Sequence, residues 1–434
     1  MESIIAGLAV AILLVLMILG HPVAFAMATV GLVFLCSLLG IGKGLLVIEH
    51  VLCDAPNNMV LIAVPLFLLM SELMLNTGTS SQLYRSMTNW LSRFPGGLLH
   101  SNIGACTILA AISGSSPATA ATIGTVAIPE LERQGYDSRL TLGSIAAGGT
   151  LGLLIPPSIT FIVYGAMVGE SVGQLFIAGI IPGIIVALLF MGYILVRALL
   201  NPEVAPAPTR VSWKERFTSL RAMGPVLLLI FAVLGSIYLG IATPTEAAAL
   251  GVTMTCLLGL ANRTLTWKVL KEALDNALRV TCSVMIIFVA ASLIAMILSY
   301  AGLPHKVANA TISMQTSPYV ILLVVYIIYL VLGCFFDPMS ILVLTLPILY
   351  PAVIALGFDS IWFGVVLVLL IDAGMITPPV GLNLYIVQGI APKYPFEEIV
   401  RGVMPFFLML VLGLIIITAF PVLATWLPSQ MMGG

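Results

Sequence analysis

Charge is what this sequence lacks most. Asp, Glu, Lys and Arg make up 8% of its 434 residues, against 60% hydrophobic. A soluble domain carries roughly 25% charged residues, so a chain this poor in charge cannot cover itself with a water-compatible surface. Histidine is also scarce: His21, His50, His100 and His305 are scattered without ligand spacing, which argues against a transition-metal centre. The six cysteines (Cys36, Cys53, Cys106, Cys256, Cys282, Cys334) form no C-x-x-C pair. They read as structural thiols in lipid or core, and a disulfide framework is unsupported. No cofactor and no nucleic-acid partner is expected, and the net charge of −1 points to no other class of partner.

Long apolar runs are what the chain has instead. Segments of about 20 residues recur from end to end, each long enough to cross a bilayer. The mean hydropathy is +1.17. The expected fold class is an all-α polytopic membrane protein. The first run, Ile4 to Leu19, has no basic segment before it and no small-residue cleavage site after it, so it reads as a retained helix.

Proline punctuates these runs with a period. Pro22 corresponds to Pro244, Pro117 to Pro338, Pro129 to Pro351, Pro156-Pro157 to Pro378-Pro379 and Pro182 to Pro405, always at offsets of 221 to 223 residues. Five landmarks in register indicate an internal duplication. The only long polar, proline-rich interruption is 201–222, whose Arg210, Lys214, Arg216 and Arg221 mark it as a cytoplasmic linker by the positive-inside rule. The halves are then 1–200 and 223–434. In the first half, crossings are expected near 4–20, 23–41, 60–76, 141–165 and 174–197. The segment 103–131 is interrupted by Gly114-Ser115-Ser116-Pro117 into arms too short to span, and reads as a re-entrant helical hairpin. Its counterpart is 318–356, and the counterpart of the interrupted crossing 141–165 is 361–390. In the second half, 223–241 and 244–262 read as a pair of crossings, followed by a basic amphipathic cytoplasmic stretch at 262–280. An odd number of crossings before the linker makes the second half inverted, an arrangement found in secondary transporters. Both termini then lie outside, with the first hairpin on the cytoplasmic side and the second on the external side.

Adjacent prolines remove backbone donors and break a helix. Within hydrocarbon, the carbonyls so freed are tolerated only beside protein, water or a ligand. GLLIPPS frees them near Gly152 to Ile155, and GMITPPV near Gly374 to Thr377. Each hairpin tip should face its matching break, adding Ser113, Ser115 and Ser116 in one half and Gly333 and Asp337 in the other. Such clusters of oxygen suit a monovalent cation. Asp337 reads both as a helix N-cap before Pro338 and as a functional acid. Asp372 lies one turn from the second break, Glu72 near the end of a span, and Glu246 at a helix start, where the dipole favours an acid. A serine hydrolase built on SGSS lacks a histidine or lysine base in a matching segment, so no enzyme is expected.

Together GHPVAFA, VPLFLLMSELM, FPGGLLHSNIGACTILAAISGSSPATAATIGTVAIPEL, GTLGLLIPPSI, ATPTEAAALG, DPMSILVLTLPILYPA and DAGMITPPVGLNLY resemble the large membrane subunit of TRAP transporters, the tripartite ATP-independent periplasmic uptake systems, over nearly the whole length. The resemblance implies Na⁺-coupled uptake of a small organic acid such as a C4-dicarboxylate or sialic acid, across the bacterial inner membrane and without ATP hydrolysis. It implies an elevator mechanism in which the hairpin-bearing bundles move against a scaffold. It implies two partners, a separate small four-helix membrane subunit and a periplasmic substrate-binding protein. Carried onto this sequence, one Na⁺ site uses Ser113, Ser116, Gly152, Ile155 and Pro156, and the other Gly333, Gly374, Thr377 and Val380. Substrate falls between the tips, near Ser113, Ser115, Ser158 and Asp337. A stand-alone Na⁺/dicarboxylate symporter of the related two-hairpin superfamily is the nearest rival.

Overall fold

Each half of the chain carries a pair of helices joined by a short turn, followed by an interrupted helix. The computed structural model describes residues 2–76, 79–206, 211–314 and 316–431, so Arg210 of the expected linker lies outside the described residues. In the first half the helices are α1 (Glu2–Ile18), α2 (Val23–Leu39), α3 (Ile41–Asp54), α4 (Ala63–Asn76), α5 (Thr79–Leu91), α6 (Leu98–Ser113), α7 (Ser116–Arg133), α8 (Ser138–Leu154), α9 (Ile159–Val168) and α10 (Val172–Leu200). The second half supplies α11 (Trp213–Tyr238), α12 (Pro244–Ala261), α13 (Trp267–Tyr300), α14 (Leu303–Ser313), α15 (Pro318–Gly333), α16 (Pro338–Ala355), α17 (Ser360–Met375), α18 (Leu382–Ile390), α19 (Phe396–Ala419) and α20 (Val422–Met431). Among the described residues every regular element is helical. Seven helical stretches there are long and apolar enough to cross a membrane, and α11, bent by 51° between Trp213–Arg221 and Met223–Tyr238, is an eighth.

The segments read as hairpins and broken crossings fall on these helices as follows. Residues 103–131 run from α6 through the turn at 114–115 into α7, and 318–356 from α15 through the turn at 334–337 and along α16 to the residue that follows it. The interrupted crossings are α8 with α9 and α17 with α18. Two features differ from the sequence reading. Helix is already established at Trp213, inside the expected linker, because Ser212 and Glu215 form a capping box there. The amphipathic stretch at 262–280 is the foot of one continuous 34-residue helix, α13, since no glycine or proline interrupts it before Tyr300.

The proline periodicity has a physical counterpart at a helix junction. Gly135 and Gly357, 222 residues apart, both adopt a left-handed backbone after α7 and α16 (φ +79° and +87°). Two residues later, Asp137 accepts the amide of Leu140 at 2.8 Å and Asp359 that of Trp362 at 2.7 Å. Turn and cap together aim each broken helix back along its hairpin. The two Pro–Pro bonds are both cis.

Lipid-facing helices gain little from the hydrophobic effect against one another, so close packing must hold them. Small residues provide it between α8 and α19. A Cβ on Gly143 would collide with the carbonyl of Gly402, and one on Gly402 with that of Arg139. Broken helices α8 and α17 are buried along most of their length, whereas α15 exposes Tyr319, Val320, Leu323, Val324 and Ile327.

Candidate functional site

Both hairpins fold so that their tips rest on a broken helix of the same half. In the first, α6 stops at Ser113 because Gly114 takes a left-handed turn (φ 56°), and Ser115 caps α7 by accepting the amide of Ala118 at 3.4 Å. A Cβ on Gly114 would stand 2.6 Å from the carbonyl oxygen of Pro157, and one on Gly152 2.6 Å from that of Ser115. Glycine at both positions lets tip and break touch through their backbones. Neither Pro156 nor Pro157 has an N–H, so the carbonyls of Gly152 and Leu153 lose their helical donors. Ile155 donates to Leu151 at 2.9 Å and closes the last turn, while its side chain faces Gly183 of α10.

Hydroxyls gather at the tip and just past the break. Ser113 Oγ lies 2.6 Å from Thr119 Oγ1, which in turn donates to the carbonyl of Ser115 at 2.8 Å. Ser158 and Thr160 are fully buried beyond the break, and their hydroxyl oxygens have no hydrogen-bond partner. An unpaired buried hydroxyl is costly, and two of them just past the break fit a site completed by a ligand.

The second tip is tighter and more open. Gly333 and Gly374 meet backbone to backbone, and the amide of Val380 donates to the carbonyl of Cys334 at 3.1 Å. That bond joins the far side of the break to the tip. Thr377 donates its hydroxyl to the carbonyl of Ala373 at 2.6 Å and its amide to that of Gly374 at 3.1 Å. The carbonyl of Gly374 is therefore not left without a donor, contrary to the simplest expectation for a broken helix. Residues 151–160 are buried throughout, whereas Pro379 and Val380 reach the surface.

Asp337 caps α16 as expected, accepting the amides of Met339 at 3.1 Å and Ser340 at 3.2 Å together with the Ser340 hydroxyl. Its hydrogen bonds all stay within its own hairpin; none reaches Ser113, Ser115 or Ser158. Glu246 completes a capping box with Thr243, which accounts for it structurally. Glu72 accepts from Asn276 of α13 at 3.1 Å. Asp372 is 1% exposed, and its Oδ1 has no partner.

Ser116 is not turned toward its own break. Its hydroxyl meets Asn383, the second residue of α18, whose Nδ2 lies 2.8 Å from Ser116 Oγ and 2.9 Å from the carbonyl of Ala146. The sequence reading passed over both Asn383 and Thr119. The signal available was a lone polar residue within the apolar run GLNLY and a hydroxyl four residues after Ser115.

At both tips the donors are carbonyls and hydroxyls, with one carboxylate at the second. Hard oxygens of this kind suit alkali or alkaline-earth cations and offer nothing to a soft metal.

Comparison with known proteins agrees with this architecture. Residues 10–423 match the family described as "Tripartite ATP-independent periplasmic transporter, DctM component". The C4-dicarboxylate TRAP transporter large permease protein DctM of Vibrio cholerae is 34% identical over 98% of this chain and 99% of its own length. The ectoine TRAP transporter large permease protein TeaC of Halomonas elongata is 31% identical over 96% and 97%. Among solved structures, the YdaH transporter of Alcanivorax borkumensis superposes with a TM-score of 0.60 at 13% identity, covering 89% of this chain and 90% of that one. These relatives are transporter permeases rather than enzymes, and they do not favour a stand-alone symporter.

Proposed function

The chain belongs to the DctM family of tripartite ATP-independent periplasmic transporters, multi-pass proteins of the bacterial inner membrane, and from this we propose that it carries a small organic acid inward with Na⁺ as coupling ion. The observation that carries the coupling is the duplicated contact of hairpin tip with helix break. At the first, the carbonyls of Gly152 and Leu153 and the hydroxyls of Ser113 and Ser158 provide oxygens; at the second, the carbonyl of Gly333 and the hydroxyl of Thr377 do so. In this reading Ser113, Gly152, Ile155 and Pro156 hold one Na⁺, and Ser116, whose hydroxyl meets Asn383, borders it. Gly333, Gly374, Thr377 and Val380 hold the other. A bound cation replaces the backbone donors that the prolines remove, so it ties each tip to its break.

Substrate lies between the tips, with Ser115, Ser158 and Asp337 as its nearest polar groups. The named substrates of two relatives, C4-dicarboxylates and ectoine, share a carboxylate on a compact polar body. An anionic substrate would be repelled by Asp337 and attracted by two Na⁺, which makes its binding depend on prior loading of the ions. The halves are inverted repeats, and the bundles that hold the tips move as an elevator against α2, α4, α12 and α13. A cavity of about 600 Å³ supports that division, since it opens where α3 and α13 meet α9 and α16. A small membrane subunit and a periplasmic binding protein complete the system. Reconstitution of this chain with both partners tests the reading. Uptake of the acid requires an inward Na⁺ gradient, and robust uptake in Na⁺-free buffer overturns it.

A further inference from the structure

One side chain crosses from the second half to bond the first hairpin at its tip. Asn383 is fully buried, and its carboxamide makes no hydrogen bond within its own half. Nδ2 reaches Ser116 and the Ala146 carbonyl as described, and Oδ1 stands 3.2 Å from Ser116 Oγ. The amide sits against Gly149, where an added Cβ would come within 3.1 Å of Nδ2 and 2.6 Å of the Ala120 side chain. Space has thus been cleared for it by glycine and alanine. At the position 222 residues earlier stands Phe161, also fully buried, which packs against Gly179 and forms no such link. The strut exists in one direction only.

Its two ends touch both tip–break pairs. Ser116 opens α7 directly behind the first tip, and Asn383 lies three residues beyond Val380 at the second break. We propose that Asn383 is a positioning residue that couples the two cation sites, so that filling one prepares the other. Closure of the second tip fixes Val380 through the Cys334 carbonyl, and with it the start of α18. Asn383 is then held against Ser116, where its N–H occupies one lone pair of the hydroxyl oxygen and sets the direction of the other. Release of the second tip lets α18 shift and frees that hydroxyl. Such coupling is reciprocal, so cation at the first site favours closure at the second. The inference rests on the Na⁺-coupled reading above.

The test is the Na⁺ dependence of uptake in proteoliposomes holding the complete tripartite system. The unaltered protein shows a sigmoidal curve with a Hill coefficient above 1 and at most 2, the limit that two coupled sites set. Asn383→Leu keeps the branched shape, with slightly larger ends, and removes the strut. It lowers the Hill coefficient toward 1 and raises the half-saturating Na⁺ concentration about two- to tenfold, the effect of one or two lost hydrogen bonds. Asn383→Ala serves as a second variant, and the detergent-solubilised melting temperature of each reports folding. A purely structural role would lower the melting temperature and leave the Hill coefficient of the surviving transporter unchanged, which overturns the proposal. Uptake by the unaltered protein that ignores Na⁺ overturns the coupled reading itself, and the proposal with it.

Discussion

A Cβ placed on Gly333 would fall 2.8 Å from the Cα of Gly374, and the approach in the other direction is closer still. No side chain can be inserted there without parting the second hairpin from its break. Gly374→Ala is therefore expected to lose uptake and to cost about 1–3 kcal/mol of stability by overpacking, read as a lower melting temperature. Gly192→Ala is the control, since nothing lies within 4 Å of its added methyl. It should be neutral or stabilising by up to about 1 kcal/mol. Normal transport by Gly374→Ala would show that tip and break need not touch.

Thr377 contributes a hydroxyl whose hydrogen is already committed to the Ala373 carbonyl, leaving its lone pairs for a cation. Thr377→Val keeps the shape and removes that oxygen. The half-saturating Na⁺ concentration should rise about tenfold, in line with loss of a charge-assisted contact, while the melting temperature in Na⁺-free buffer changes little. An unchanged Na⁺ dependence would remove Thr377 from the site.

Asp337 has two roles that substitution can separate. Asn at this position retains a capping oxygen for Met339 and Ser340 but lacks the charge, whereas Ala lacks both. Asp337→Asn should fold normally and transport poorly. Asp337→Ala should lose transport and in addition about 1 kcal/mol of stability. Near-normal uptake by the Asn variant would leave capping as the whole account.

Asp372 presents the opposite case, a buried acid whose Oδ1 has no partner. A carboxyl at mid-membrane depth costs on the order of 3 kcal/mol on the insertion scale. Asp372→Asn is expected to hold or raise the melting temperature. A clear fall would show that the carboxylate is held by a cation in the working protein.

Most of this architecture was legible in the sequence because proline and glycine act locally. Each pair of prolines breaks its helix wherever the chain goes, so both breaks and both hairpins could be placed before any contact was known. The cap at Asp337 was legible for the same reason, since Asp-Pro needs only its own next turn. Asn383 was not, because its partner stands 267 residues away and spacing along a helix carries no such information. The meeting of Gly333 and Gly374 was expected only as a facing of tip and break; its closeness depends on two backbones, which composition cannot report. Substrate residues were expected to converge, yet Asp337 spends its hydrogen bonds within its own hairpin; Ser116, expected at a Na⁺ site, turns to the other half.

The segment that joins the halves is modest beside what holds them together. Along its described part, the amide of Asp137 donates to the carbonyl of Val204 at 3.0 Å. Between the halves themselves lie the backbone contact of α8 with α19, the Asn383 strut, the ion pair of Lys393 with Glu132 at 2.5 Å and the bond from Ser138 to Glu398. All of these are non-covalent and survive a cut in the chain. Translated as two polypeptides divided near residue 206, the halves would keep all of these contacts with which to find each other in the bilayer. Continuity of the chain then serves chiefly to supply them in equal number, and a gene split at that point should still yield a working permease.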